Sequence, residues 1–140
     1  MPKKAYVIIY HGADFLYGIG GTVRNIPRPG NHLPGGSVDA SDTSPADTVV
    51  RECHEEAGVN IVKTDLVGPF TDAALPNVFF FKVQMDITTL AKKTGLTGSP
   101  ADSPFTEMKI GSISAAKSGA LFNATDQTDW FEAGVKAAFP

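Results

Sequence analysis

The sequence predicts an α/β fold in which a mixed β-sheet lies between helices. Three observations point to it: strand-like runs precede and follow a central amphipathic segment, this segment has both a helix start and a helix stop, and a second amphipathic segment closes the chain. With 140 residues, the chain is long enough for one compact domain and too short for two ordinary ones. We therefore expect a single domain over residues 1–140.

The first strands are predicted to form a hairpin. Residues 5–10 and 15–19 are rich in β-branched and aromatic side chains, and residues 11–14 between them have turn composition. The glycines that follow, at positions 18, 20 and 21, do not lead into a helix, which argues against a dinucleotide-binding loop.

A helix is predicted to begin after Ser44 and to end at Gly58. Ser44 offers a hydroxyl N-cap, Pro45 suits the first helical position, and Asp47 can return a hydrogen bond to the cap. Gly58 suits the left-handed position just after a helix. At about 100° per residue, the apolar side chains of this segment share one arc, which we expect to face the core. They are Ala46, Val49, Val50, Cys53 and Ala57.

Three glutamates lie together on a neighbouring arc of this helix: Glu52, Glu55 and Glu56. Each like-charged pair at this spacing costs about 0.2–0.5 kcal/mol on an exposed helix, and no Lys or Arg lies inside the arc. A divalent cation would relieve the repulsion, and hard oxygen ligands suit Mg²⁺ or Mn²⁺. The alternative is a solvated acidic face.

The helix belongs to a longer pattern. Gly35 and Gly36 precede it, and residues 51–59 read Arg-Glu-Cys-His-Glu-Glu-Ala-Gly-Val. This closely resembles the Nudix box, G-x5-E-x7-R-E-U-x-E-E-x-G-U, in which U is apolar. The five fixed positions of the helical part would match by accident roughly once in a million start positions.

The resemblance implies an α/β/α sandwich that hydrolyses a pyrophosphate bond in a nucleoside diphosphate derivative. It implies that Glu52, Glu55 and Glu56 hold Mg²⁺ or Mn²⁺ or handle the attacking water. The Gly35 carbonyl would be a further metal ligand. Arg51 would be an orienting ion-pair partner in the catalytic site.

The chain departs from the box at its first glutamate. Counted forward from Gly36, this position falls at Asp42. Counted back from Arg51, it falls at Thr43, so the loop before the helix holds one extra residue. In the family pattern this glutamate is mainly a partner of the arginine. Asp42 and Asp47 are both candidates to replace it.

Residues outside the helix are expected to bind the substrate. Arg24 or Arg28 could reach a phosphate, with a solvated loop charge as the alternative. Gly35 and Gly36 would lie against the substrate, and Asn123 could read a base edge or cap the last helix.

A late acidic residue is expected to complete the site. Residues 86–106 have the composition of a long loop, which leads into a predicted strand at residues 108–113. By resemblance, Glu107, or less favourably Asp102, would add a metal ligand or a base. A surface carboxylate is the alternative.

Two further strands and a closing helix complete the prediction. The strands span residues 61–67 and 77–85, and the second has apolar side chains on both faces, as a central strand does. Its three phenylalanines, at positions 79 to 81, could pack in the core or offer a ring to a base. The helix spans residues 126–139, with Trp130 and Val135 among its core-facing residues.

Composition excludes several classes of function. A net charge of −3 and a pI near 5.5 leave no basic surface for long nucleic acid. No apolar run is long enough for a membrane span, and the first residues lead into a strand rather than a signal peptide. Cys53, the only cysteine, is expected to be a buried thiol in a cytoplasmic protein. A homodimer remains open.

Two other functions compete with the enzyme. A Nudix-fold nucleotide-binding or regulatory module could have lost turnover along with the first box glutamate. A plain acidic helix could act through protein contacts. Retention of all three helix carboxylates favours the hydrolase.

Overall fold

The computed structural model describes residues 3–28, 30–90, 104–121 and 131–140. Its strands are β1 (Lys4–His11), β2 (Asp14–Ile19), β3 (Thr22–Val23), β4 (Ile26–Pro27), β5 (Asn31–His32), β6 (Gly35–Ser37), β7 (Val67–Asp72), β8 (Leu75–Gln84) and β9 (Glu107–Ser112). Its α-helices are α1 (Pro45–Ala57), α2 (Ile87–Leu90), α3 (Ile113–Lys117) and α4 (Phe131–Ala138). A 3₁₀ turn covers Lys63–Asp65.

β1 is the central strand of a mixed sheet. One of its edges pairs in parallel with β8, which in turn pairs antiparallel with β7. Its other edge is shared, because β6 pairs with its first half and β2 with its last residues. β2 pairs with β9 on its far side.

The shared edge of β1 positions the glycine loop. Where β1 and β2 diverge, β5 pairs with the end of β2 and the chain then crosses to β6. The Val7 N–H donates to the Pro34 carbonyl at 2.9 Å in this crossing. Gly35 and Gly36 are thereby fixed beside the middle of the sheet.

Helices cover both faces of this sheet. On one face α1 and α2 pack on side chains of β1 and β8 such as Val7 and Phe81. On the other face α3 and α4 pack on Ile8 and Phe80. Alternate residues of each strand therefore enter different cores, as the pleat requires. The predicted α/β sandwich is confirmed.

The ends of α1 are those predicted. Ser44 is extended, and its hydroxyl accepts from the Asp47 N–H at 3.4 Å. Gly58 adopts a left-handed conformation at φ 66°. Val49 and Cys53 are buried as expected, and so is the thiol predicted to be structural. Thr48, which lay outside the predicted stripe, is also fully buried.

The strand predicted at residues 61–67 is wrong. Ile61 is buried from an irregular segment, Val62 is 62% exposed, and a 3₁₀ turn follows before β7 begins at Val67. Gly68 and Pro69, which directly follow the predicted strand, lie inside β7. β7 is at the edge of the sheet, where a proline removes no necessary ladder hydrogen bond.

The closing elements also differ in detail. α3 was not predicted; Ser112 caps it by accepting from the Ala115 N–H at 2.9 Å. Within the predicted final helix, the structure describes α4, in which Val135 and Ala138 are buried. Trp130 lies outside the described residues.

Among the described residues, the structure contains no helix with the length and apolar character needed to cross a membrane.

Candidate active site

The box helix and the glycine loop are in direct contact. The Gly35 N–H donates to Glu56 Oε1 at 2.7 Å. A Cβ atom at Gly36 would lie 3.1 Å from the carboxylate of Glu52, and one at Gly35 would collide with the Ala5 carbonyl. The two glycines therefore let the backbone approach the helix carboxylates closely.

Glu56 lies between this loop and Arg28. Its side chain is 13% exposed, and Oε2 forms an ion pair with Nη1 of Arg28. Burial raises the pKa of Glu56 to about 8, with the Glu52 charge adding to the effect. The Arg28 charge and the Gly35 N–H act against that rise.

Arg28 is held by more than this carboxylate. Its Nε donates to the Gly20 carbonyl at 3.2 Å, and its guanidinium lies 4.3 Å from the centre of the Phe105 ring. The His32 ring stacks on the Phe105 ring, and the two ring centres lie 6.4 Å apart. The sequence prediction of a phosphate contact for Arg28 stays untested; in this structure its guanidinium is bound to Glu56.

Arg51 joins the loop before α1 to the helix carboxylates. Its Nη2 is 2.9 Å from Asp42 Oδ2 and its Nε is 3.3 Å from Asp42 Oδ1. Its Nη1 is 2.9 Å from Glu52 Oε1 and 3.7 Å from Glu55 Oε2. Arg51 thus lies between the Asp42 and Glu52 carboxylates, and the orienting role that the resemblance implies stays a prediction.

Of the two candidate replacements, Asp42 and not Asp47 contacts Arg51, and Asp39 Oδ2 also lies 3.3 Å from Arg51 Nη2. The Asp42 side chain is only 5% exposed and also accepts from Thr48 Oγ1 at 2.8 Å. The hydrogen bond from Arg51 is the main reason that the pKa of Asp42 falls to about 2. Asp47 instead pairs with Lys63 Nζ at 2.7 Å.

The extra loop residue is absorbed in a turn. The Asp42 N–H donates to the Asp39 carbonyl at 3.1 Å, and the Asp39 N–H donates back to Asp42 Oδ2 at 3.0 Å. Asp39 Oδ1 also accepts from the Ser41 N–H at 2.9 Å. This turn brings the shorter side chain of an aspartate to the arginine.

The expectation that no basic residue relieves the glutamate arc is wrong. Arg51 contacts Glu52, and Arg28 reaches Glu56 from a loop distant in sequence. The helix pattern alone gave no sign of the second contact, because it depends on where the fold places residues before β5.

The donor set suits a hard divalent cation by its chemistry. Glu52, Glu55 and Glu56 offer carboxylate oxygens on one side of α1, beside the Gly35 backbone. Within the described part of the chain, no three His, Cys, Asp or Glu side chains converge as a ready-made metal site. In this conformation Glu52 and Glu56 are bound to arginines instead.

Phe105 was missed by sequence reasoning. Its N–H donates to the Glu56 carbonyl at 3.0 Å, which joins the start of β9 to the end of the box helix. Glu107 follows two residues later, exposed at the first position of β9. The one available signal was an aromatic residue two positions before the predicted late acidic residue.

Other predicted site residues are not placed against the helix carboxylates. Phe80 and Phe81 are buried in the two cores, which accounts for their apolar rings without a base. Asp102 and Asn123 lie outside the described residues.

The comparisons with known proteins identify the family. The sequence model of the NUDIX domain family matches residues 7–124 of the chain. No curated protein matches the chain.

Solved structures share the fold. A MutT NUDIX hydrolase from Burkholderia pseudomallei has a TM-score of 0.56 at 16% identity, covering 97% of this chain and 96% of that one. MutT from a study of Aliivibrio salmonicida and Vibrio cholerae has a TM-score of 0.53 at 18% identity, covering 99% and 98%. A MutT/nudix family protein from Enterococcus faecalis has a TM-score of 0.50 at 16% identity; the match covers 79% of this chain and 43% of that protein's length.

These identities establish the fold alone, whereas the family match spans most of the chain together with the box residues. The chain therefore belongs to the NUDIX domain family, whose enzymes hydrolyse pyrophosphate bonds.

Proposed function

We propose that this protein hydrolyses a pyrophosphate bond in a small nucleoside diphosphate derivative, using Mg²⁺ or Mn²⁺ at the box helix, in the cytoplasm. The observation that carries the proposal is the docking of the glycine loop on the helix carboxylates. Gly35 donates to Glu56 at 2.7 Å, and Gly36 leaves the space that the Glu52 carboxylate occupies. A solvated acidic helix would have no need of either contact.

Each box residue has a proposed task. Glu52, Glu55 and Glu56 hold the cation or accept the proton of the attacking water. Arg51 fixes the orientation of Glu52 through the 2.9 Å contact, and Asp42 fixes Arg51 in turn. The cation, when bound, polarises the phosphate oxygens and lowers the pKa of the water. The protein otherwise positions the reactants, as is general in phosphoryl transfer.

The substrate is proposed to lie against residues outside the box helix. We propose that the backbone at Gly35 and Gly36 lies against the pyrophosphate, and that Glu107 contributes a late carboxylate. Asn123 is proposed to read the base. The mildly acidic chain supports a small substrate over a nucleic acid polymer, because a polymer needs several phosphate-binding cations.

The alternative function is a Nudix-fold module that binds nucleotides without turnover. The absence of the first box glutamate favours it. The bidentate contact of Asp42 with Arg51 favours the enzyme, because the arginine keeps the acidic partner that the glutamate would supply.

A release assay over a panel of nucleoside diphosphate derivatives distinguishes the two. The wild-type protein should release product with Mg²⁺ and stop when EDTA is added. Glu132→Gln changes a glutamate of α4, outside the site, and this control variant should keep full activity. Nucleotide binding without product from any substrate would support the binding module.

A further inference from the structure

Arg28 is unusually well fixed for a residue in a Pro-rich loop. Its side chain is 11% exposed. Its backbone N–H donates to the Gly21 carbonyl at 3.1 Å, and its Nε donates to the Gly20 carbonyl at 3.2 Å. Both ends of the side chain are therefore positioned by the protein before any ligand arrives.

Arg28 and Phe105 together hold Glu56 at two points. Arg28 binds the Glu56 carboxylate, while Phe105, whose ring lies under the guanidinium, binds the Glu56 main-chain carbonyl. Phe105 itself has no freedom to move towards β2, because its ring fills the space where a Cβ atom at Gly18 would lie, only 2.3 Å away. The Arg28–Glu56 pair is thus part of a packed structure and not a contact between two mobile side chains.

We propose that Arg28 is the built-in counter-ion of Glu56, a positioning residue that holds this carboxylate in the metal-free protein and competes with a divalent cation for it. The proposal rests on the function proposed above in so far as Glu56 binds metal. It gives Arg28 a task different from gripping a substrate phosphate.

Geometry favours this task over the phosphate contact. To reach a phosphate, the guanidinium would have to leave both the Phe105 ring and a carboxylate that is 13% exposed. Leaving a nearly buried carboxylate without its cation is costly, unless another cation takes its place.

The charge argument gives the direction of the effect. A cation bound at the Glu56 oxygens would lie within a few ångströms of the guanidinium, and the two positive charges repel each other. Removing the Arg28 charge should therefore strengthen metal binding. The Gly35 N–H remains to hold Oε1 in the variant.

The first test is a calorimetric titration of the protein with Mn²⁺. Arg28→Met keeps an unbranched apolar stem for Phe105 and loses the charge, and it should bind Mn²⁺ about fivefold or more tightly than wild type. Arg28→Lys should bind like wild type. Lys136→Met, at an exposed position of α4 outside the site, is the matched control for loss of a positive charge and should also bind like wild type.

The second test is a double-mutant cycle in EDTA. Arg28→Met should lower the melting temperature clearly in the wild-type background and much less in the Glu56→Gln background, because the charge that needs Arg28 is gone there. Equal losses in both backgrounds would show that Arg28 acts only by packing and would overturn the proposal.

The outcomes separate this proposal from the proposed function. Equal or weaker Mn²⁺ affinity in Arg28→Met would overturn the counter-ion role alone. A raised KM with unchanged Mn²⁺ affinity would assign Arg28 to the substrate instead. If neither protein binds Mn²⁺, the metal site of the proposed function fails and the competition fails with it.

Discussion

At the scale of single residues, Asp42 is the most informative side chain. It does not occupy the register of the box glutamate counted from Arg51, yet it forms the two hydrogen bonds to that arginine. Asp42→Asn should reduce turnover by about 10–100-fold, the usual effect of losing a partner that orients a metal-site residue. Steady-state kinetics with Mg²⁺ would measure it.

Asp47→Asn is the matched control for this prediction. Asp47 pairs with Lys63 and accepts from the Thr43 N–H, so its loss should affect the helix start and leave turnover near wild type. Comparable losses of turnover in the two variants would contradict the assignment of Asp42.

Asp42 also gives a prediction for pH. Its pKa is about 2 in the folded protein, below its ordinary value of 3.8, mainly through Arg51. A carboxyl of this kind stabilises the fold above the higher value, and the stabilisation is lost as pH falls towards the lower one. The Arg51 side chain is 29% exposed, and solvent screening weakens its interaction with Asp42. We therefore expect the ionised Asp42 carboxylate to add about 1–2 kcal/mol to the free energy of unfolding.

Denaturant unfolding of wild type and Asp42→Asn should therefore converge in acid. The difference in unfolding free energy should be present at about pH 6 and largely lost at about pH 2, the pKa of Asp42 in the folded protein. A difference that persists unchanged at the lower pH would mean that packing, and not the charge, makes Asp42 important.

Glu52→Gln separates catalysis from stability. The substitution keeps the size of the side chain and removes a charge next to Glu55 and Glu56, so turnover should vanish while the melting temperature stays within a few degrees. Thermal melting in EDTA is the measurement. Unfolding of the variant would instead show that Glu52 is a structural partner of Arg51.

At the scale of elements, substitutions in the box helix show which of its apolar side chains stabilise the fold. Val49 is fully buried, whereas Val50 is only partly buried beside the same core. Val49→Ala should lower the free energy of unfolding by about 1–3 kcal/mol, and Val50→Ala by less. Denaturant titrations would rank them. The reverse order would mean that α1 is rotated relative to this structure.

The elements that the sequence predicted well are those with local signals. The cap at Ser44 and the stop at Gly58 define α1 within its own residues, and the two-sided apolar pattern of β8 marks a central strand. β7 could not be placed, because a proline inside a strand is acceptable only if that strand is at an edge. Edge position is a property of the whole sheet.

The same distinction applies to the site. The helix carboxylates were visible as a spacing of three and four residues. The choice of Asp42 over Asp47 depends on a turn at Asp39, and the Arg28–Glu56 pair spans two distant segments. Sequence spacing carries no information on contacts of that kind.

At the scale of the whole molecule, the divergence of β1 and β2 is what builds the site. The chain crosses this gap between β5 and β6 and delivers Gly35 and Gly36 to one side of α1. Phe105 ties the strand on the far side of β2 to the end of the same helix.

The most direct test of the account is phosphorus NMR of the products formed from a nucleoside diphosphate derivative. With Mg²⁺, the signals of the intact substrate should be replaced by those of a phosphate monoester together with a second monoester, phosphate or free pyrophosphate, according to the derivative, and EDTA should stop the conversion. Substrate that stays intact with Mg²⁺ and with Mn²⁺, across a panel of such derivatives that bind, would contradict the hydrolase.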